Sequence, residues 1–245
     1  MKILSWVVLL GMSLPAGVFA EPLPHVVTPA PYRGQVMTED CETAALQMAL
    51  AHEGIRVTQQ ELMAQENVQK QGPVVNAEGR VVRWGDPDTS FVGEPNSASI
   101  STRYTAASGY GTYAPNIARL AHLFHGKVLW WGVGLSQQRL KSFLSENHPV
   151  IAWVGDRDGH MRWSPLATWK TENGKLVVYP DPSRGVYEHT VLVVGWSPYG
   201  VLVNDPLNGA RNGGNVNPVV GRGWVNWKEF LAGFSTFHGM AVVLD

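Results

Sequence analysis

Residues 41–52 read Cys-Glu-Thr-Ala-Ala-Leu-Gln-Met-Ala-Leu-Ala-His, and this stretch constrains the fold more than any other. Ala44, Ala45, Leu46, Met48, Ala49 and Leu50 fall on almost every side of a helical wheel. A helix that is apolar nearly all round is stable only when protein surrounds it. The spacing therefore predicts a buried central helix, stopped by Gly54, around which the rest of the chain is built.

That helix begins with Cys41, the one cysteine of the chain. A disulfide within the chain is therefore impossible, and cysteine-based zinc or iron sites are excluded. The chain also opens like an export signal. Lys2 precedes an apolar run from Ile3 through Gly17, interrupted by Ser13 and Pro15, and Val18-Phe19-Ala20 leads into Glu21. A short positive start, an apolar stretch and a small residue at the cut describe a signal peptide, so residues 1–20 are expected to be removed. The mature chain is then expected in the periplasm or outside the cell, with no stable membrane span. A lone thiol in such an oxidising compartment is either deeply buried or functional.

The length fits one domain. Residues 21–34, with Pro22, Pro24, Pro29 and Pro31, read as an extended lead-in, and the domain proper as 35–245. A second helix is expected at Thr58–Gln65, with Thr58 as N-cap and Glu61 completing a capping box. Residues 66–113 are a loop-rich insertion, broken by Gly72-Pro73, Gly85-Asp86-Pro87, Glu94-Pro95 and Gly109-Tyr110-Gly111. Its aromatics (Trp84, Phe91, Tyr104, Tyr110, Tyr113) suggest an ordered surface that helps build a groove. Further helices are expected at 115–125 and 136–147. Strands are expected at 149–154, 175–179, 190–196, 201–204 and 240–244, with a helical turn at 226–232 and a Gly/Asn-rich loop at 208–223. Helices early and strands late give an α+β architecture, a helical N-terminal half packed on an antiparallel sheet.

If Asp40 is the N-cap, Cys41 occupies the first helical position. Unpaired N–H groups and the positive end of the helix dipole there favour the thiolate. A thiol nucleophile needs a base. Among eight histidines, His189 stands at the mouth of the apolar strand Thr190–Trp196. After the turn Ser197-Pro198-Tyr199-Gly200, a second strand ends in Asn204-Asp205-Pro206. An antiparallel hairpin brings Asp205 to the same end as His189, where a carboxylate can fix the imidazole. Gln35, six residues before Cys41, can offer an amide N–H to a developing oxyanion.

The run Gln35-Val36-Met37-Thr38-Glu39-Asp40-Cys41 resembles the start of the bacteriocin-processing, double-glycine-leader peptidases, a papain-like clan. His189, the strand and turn after it, and Asp205 resemble that family's second block. Gly85-Asp86-Pro87 with Phe91-Val92-Gly93, and Gly109-Tyr110-Gly111 with Ala114-Pro115, are similar to the middle insertion of its secreted, stand-alone members. The resemblance implies a papain-like fold in which Cys41, His189 and Asp205 form the triad and Gln35 completes the oxyanion hole. It implies a cysteine peptidase working through a thioester, with a peptide or protein as substrate. Relatives fused to transporters usually follow the cysteine with glycine, whereas this chain has Glu42, as in the secreted branch; with no transporter here, the resemblance carries the fold and triad further than the double-glycine leader substrate. Two alternatives use the same residues: a hydrolase of cell-wall peptides, and a catalytically silent peptide-binding module.

Other signals are weaker. His122 and His125 have a chelating spacing without a third ligand, and Asp156, Asp158 and His160 suit a hairpin turn better than a calcium loop. Trp130, Trp131, Trp153, Trp163 and Trp169 are expected in the core or along a groove. A formal net charge of −1, falling to −2 without Lys2, argues against a nucleic-acid partner. No metal or cofactor is implied.

Overall fold

The computed structural model describes residues 26–97, 107–207 and 221–245. The expected signal peptide at 1–20, Tyr104 of the insertion and most of the Gly/Asn-rich loop lie outside the described residues.

Helix α1 spans Cys41–His52, and nine of its residues are buried, from Cys41 through Leu50 with Gln47 the exception. Gly54 ends it at φ +82, a conformation that suits glycine. Ile55 N–H donates to Leu50 O at 2.9 Å and Gly54 N–H to Ala51 O at 3.1 Å, so the last carbonyls are satisfied. Helix α2, Gln59–Gln65, has the full capping box of Thr58 and Glu61. Helices α3 (Ala114–Leu123), α4 (Gln137–Ser145) and α5 (Trp227–Thr236) complete the set, with Ser136 and Asn226 capping the last two through their side chains.

Strands in chain order begin with β1 (Val26–Val27), β2 (Val68–Gln69), β3 (Val74–Val75), β4 (Val81–Arg83), β5 (Phe91–Gly93) and β6 (Gly109–Gly111). They continue with β7 (Val128–Gly132), β8 (Val150–Arg157), β9 (His160–Met161), β10 (Leu166–Lys170) and β11 (Leu176–Pro180). The last are β12 (Tyr187–Ser197), β13 (Gly200–Asp205), β14 (Gly221–Asn226) and β15 (Ala241–Leu244). The main sheet runs β14-β13-β12-β8-β15-β7, with β1 beside β12 and β9 beside β8, and every one of these pairings is antiparallel. The fold is α+β with antiparallel sheets at its centre.

Its helices do not lie on one side. One face of the sheet, with Ile151, Trp153, Leu192, Val194 and Val242, packs against α1 and α3 through Leu46, Leu50, Ile117 and Leu120. The other, with Val150, Ala152, Val191, Val193 and Val243, packs against Leu140 and Leu144 of α4 and Phe230 and Phe234 of α5. The central strands are therefore buried on both faces and read as unbroken apolar runs rather than alternating ones.

The expectation of a helical first half is corrected by the insertion. The described residues of 66–113 include β2–β6, short strands in two small sheets. Trp84, Phe91, Tyr110 and Tyr113 are buried core residues rather than groove walls. Tyr110 alone makes edge contacts with Trp84, Tyr113, Trp169 and Tyr179, the geometry that ring quadrupoles favour. The lead-in is tied to the sheet: Val26 and Val27 pair with Trp196 and Gly195, and Thr28 N–H donates to Val194 O at 2.7 Å. Strands β7, β10 and β14 lie where the sequence suggested none.

Leu46 is fully buried at the centre of this arrangement. Leu46→Ala should lower the unfolding free energy by about 2–5 kcal/mol, read from urea denaturation at unchanged m-value. A loss below about 1 kcal/mol would mean that α1 is not the core element described.

Candidate active site

Cys41 is the first residue of α1, and Asp40 stands at the N-cap position. Asp40 does not cap with its side chain. Its carboxyl is buried, neither oxygen has a hydrogen-bond partner, and its pKa is raised well above the ordinary value, first by burial and then by Glu42 and Glu66. The raised pKa favours the neutral form of Asp40, which weakens the electrostatic objection to a thiolate beside it.

Strand β12 carries His189 and β13 ends in Asp205. Leu192 pairs with Asn204, which places Asp205 within two residues of facing His189. His189 Nε2 lies 2.8 Å from Asp205 Oδ1, and both residues are buried. A carboxylate accepts only, so Nε2 carries the proton, and Nδ1 is then the basic ring nitrogen. Asp205 Oδ1 also accepts from Leu207 N–H at 2.9 Å, which fixes its rotamer. The neighbouring Asn204 points elsewhere: it donates to Ala30 O at 3.3 Å and accepts from Arg222 Nε at 2.9 Å. Alternation along the strand separates the two.

Gln35 is docked against the same end of the sheet, its N–H donating to Pro206 O at 2.9 Å. Its side-chain Nε2 donates to Met37 O at 3.1 Å and Thr38 O at 2.6 Å, so the amide braces the turn that delivers Cys41. Its donor capacity is held within that turn.

Sequence reasoning missed Glu42. It is fully buried, and the Cys41 thiol donates to its Oε2 at 3.3 Å. Its Oε1 accepts from the backbone N–H of Thr112 at 2.6 Å. Gly111 comes so close that a Cβ there would collide with Glu42 Oε1, and its φ of +124 suits glycine alone. The Gly109-Tyr110-Gly111 motif of the insertion thus cradles the residue next to the nucleophile. Burial raises the Glu42 pKa, opposed by the Thr112 N–H, the Cys41 thiol and the charge of His189. Glu188 also approaches, since ligand atoms of Cys41, Glu42 and Glu188 lie within 4.8 Å of one another. The signal was present in the sequence: a carboxylate inside an otherwise apolar helix must be held by something.

The remaining marked residues are not drawn into this site. His122 and His125 are exposed, and His125 lies beyond the end of α3. Asp158 and Gly159 form the β8–β9 turn at positive φ, and His160 pairs with Glu229 at 2.9 Å. Trp153 and Trp169 are core, whereas Trp131 and Trp163 are about half exposed or more.

The profile described as "Peptidase_C39 like family" matches residues 27–231. The chain belongs to the Peptidase_C39-like family. A search of curated proteins finds no match. Among solved structures, a candidate C39-like peptidase from Bacillus anthracis superposes at TM-score 0.65 with 22% identity, covering 91% of this chain and 98% of that one. That likeness shows the fold. A double-glycine-motif protease from an AMS/PCAT transporter, solved with its leader peptide, gives TM-score 0.44 and 14% identity over 89% of this chain and 94% of that one. Among the described residues, no helix is long and apolar enough to cross a membrane.

Glu66 completes the acidic set. Burial and the nearby Glu42 push its pKa up to about 8, against hydrogen bonds from Thr112 and Asn116 and the charge of Arg119. A carboxyl that titrates near 4.5 when unfolded and near 8 when folded holds its proton in the native state first. Its stabilising effect is complete below the unfolded value and is lost as pH rises through the folded one. Between pH 5 and pH 8.5 the protein should lose on the order of a few kcal/mol of stability through this group. Glu66→Gln should flatten that decline, raising Tm more at pH 8.5 than at pH 5. A parallel offset at both pH values would show that Glu66 is not the titrating group.

Proposed function

We propose that the protein is an exported cysteine peptidase that hydrolyses peptide bonds through a thioester at Cys41. The observation that carries this reading is the 2.8 Å bond between His189 Nε2 and Asp205 Oδ1. It fixes the tautomer and leaves Nδ1 for the thiol, in a chain whose family is a peptidase family. In this reading His189 takes the thiol proton and the thiolate attacks the carbonyl carbon. The C–S bond forms, the C–N bond breaks, and the imidazolium returns the proton to the departing amine. Water, deprotonated by the same imidazole, then attacks the thioester and releases the acid and the free thiol.

The oxyanion meets the Cys41 N–H at the start of α1, where the helix leaves its first N–H groups free. Gln35 supplies a second donor by exchanging a bond to Met37 O or Thr38 O for the substrate oxygen. Glu42 contributes through its proton. When the sulfur is an anion, a neutral Glu42 reverses the sense of its bond and donates to the thiolate. Export rests on the leader-like residues 1–20, and a peptide or protein is the substrate class that the family supports.

Asp205 makes a graded demand on this reading. Its acceptor oxygen is what orients the ring, and an asparagine keeps an acceptor. Asp205→Asn should therefore retain much more kcat/KM on a peptide substrate than Asp205→Ala, while Cys41→Ala remains folded and inactive. Asn204→Ala loses bonds to Ala30 and Arg222 and should lower stability with little effect on kcat/KM. If Asn204→Ala were the more damaging change to catalysis, with circular dichroism showing it folded, the assignment of Asp205 would be wrong.

A further inference from the structure

Beside the strand that carries His189 lies a groove of about 710 Å³, lined by Arg157, Arg162, Arg184, Trp163, Pro165 and Val186. Arg157 ends β8, Arg162 and Trp163 follow β9, and Arg184 and Val186 lead into β12. Arg157 reaches the segment that carries Arg184: a Cβ on Gly185 would sit 3.9 Å from Arg157 Nε. Asp158 is the acidic residue of the lining, and it pairs with Arg157 at 3.7 Å while largely exposed. Such a pair neutralises little in water. Among the described residues, Arg162 and Arg184 make no ion pair or side-chain hydrogen bond. In a chain whose net charge is −1, three arginines against one aspartate in a single groove is a local excess of positive charge. Trp163, 61% exposed, adds a flat apolar wall.

The place of this groove gives it meaning. Tyr187 pairs with Asp156 and His189 with Val154, so Arg157 stands three residues along β8 from the position facing His189. That is about 10 Å at strand spacing. Because His189 must give its proton to the departing amine, the part of the substrate C-terminal to the cut runs out along the histidine side. An extended peptide advances about 3.3 Å per residue, so this length covers roughly three residues beyond the scissile bond.

We infer that the groove is a substrate subsite for acidic side chains, Asp or Glu, at about the second to fourth residues after the cleaved bond. The inference rests on the peptidase reading for its direction along the substrate, although the binding itself does not require catalysis. Guanidinium groups accept carboxylates in paired, charge-assisted hydrogen bonds, and Trp163 covers the apolar stems of the bound residues.

The test uses the full chain carrying Cys41→Ala and fluorescein-labelled peptides that differ only in Glu against Gln. By fluorescence anisotropy at low salt, the Glu peptide should bind at least about tenfold more tightly, and added salt should erode the difference. Arg162→Gln with Arg184→Gln should bring the ratio close to one, with Arg157→Gln as an independent second variant. Equal binding of the two peptides, or a ratio unmoved in both variants, overturns the inference. So does a polyphosphate of equal charge that displaces the Glu peptide at a lower charge concentration, since the occupant would then be a phosphate polymer. In parallel, the wild-type chain is given a peptide library and the products are sequenced. Cleavage without a binding preference for Glu defeats the subsite alone. A binding preference without any cleavage defeats the peptidase reading, and with it the placement after a cleaved bond, and leaves a groove that binds acidic peptides.

Discussion

Everything in this molecule is arranged around a helix that cannot face water. Nine of the twelve residues of α1 are buried, so the sheet must close over it on one side and α2, α3 and the insertion's Thr112 around the rest. Burying a helix of this length removes several large side chains from water, each contributing about 1.5–3 kcal/mol. The burial also fixes the helix N-terminus in space. A thiol on the first helical residue therefore inherits a position set by the whole core, which is the rigidity a nucleophile needs.

The same burial creates an electrostatic problem that the insertion solves. Asp40, Glu42 and Glu66 sit together out of water, and a cluster of ionised carboxylates there would be prohibitive. Burial raises all three pKa values, which favours the protonated forms, and Thr112 and Asn116 donate hydrogen bonds to Glu42 and Glu66, whereas the Asp40 oxygens have none. Thr112 belongs to the stretch between β6 and α3, and its position depends on Gly111 having no side chain. The insertion is thus the second wall of the nucleophile's environment, and its glycine motif has a steric reason. It also explains why the residue after the cysteine can be glutamate here.

Much of this was legible in the residues. The helix Cys41–His52 followed from an apolar pattern without a polar face, and the capping box at Thr58 and Glu61 followed from local hydrogen-bonding chemistry. The hairpin of β12 and β13 followed from two apolar runs around a Pro-Tyr-Gly turn, and with it the meeting of His189 and Asp205. What escaped had no local signature. β14 reads Gly-Arg-Gly-Trp-Val-Asn, a loop by composition, and it is a strand only because the edge of β13 is there to pair with it. The placement of α4 and α5 on the far face is a matter of topology that periodicity does not encode. The aromatics of 66–113 looked like groove walls because their loops are long; in three dimensions they fill the space between the small sheets. Glu42 was visible as an anomaly in an apolar helix, but its partners Thr112 and Gly111 lie about seventy residues away in sequence.

The account turns on whether the Cys41 sulfur is an activated thiol or a small buried hydrophobe, and the single cysteine makes the measurement unambiguous. Native protein should be alkylated with iodoacetamide across pH 4–9, and the second-order rate compared with that of a model thiol. An activated cysteine beside a protonated His189 and a neutral Glu42 should react faster than the model thiol near pH 6, where few free thiols are ionised. Glu42→Ala should slow that reaction at pH 6 in a protein that remains folded. Labelling that appears only after denaturation, at the rate of an ordinary thiol, would contradict the account and leave Cys41 as a packing residue at the head of a buried helix.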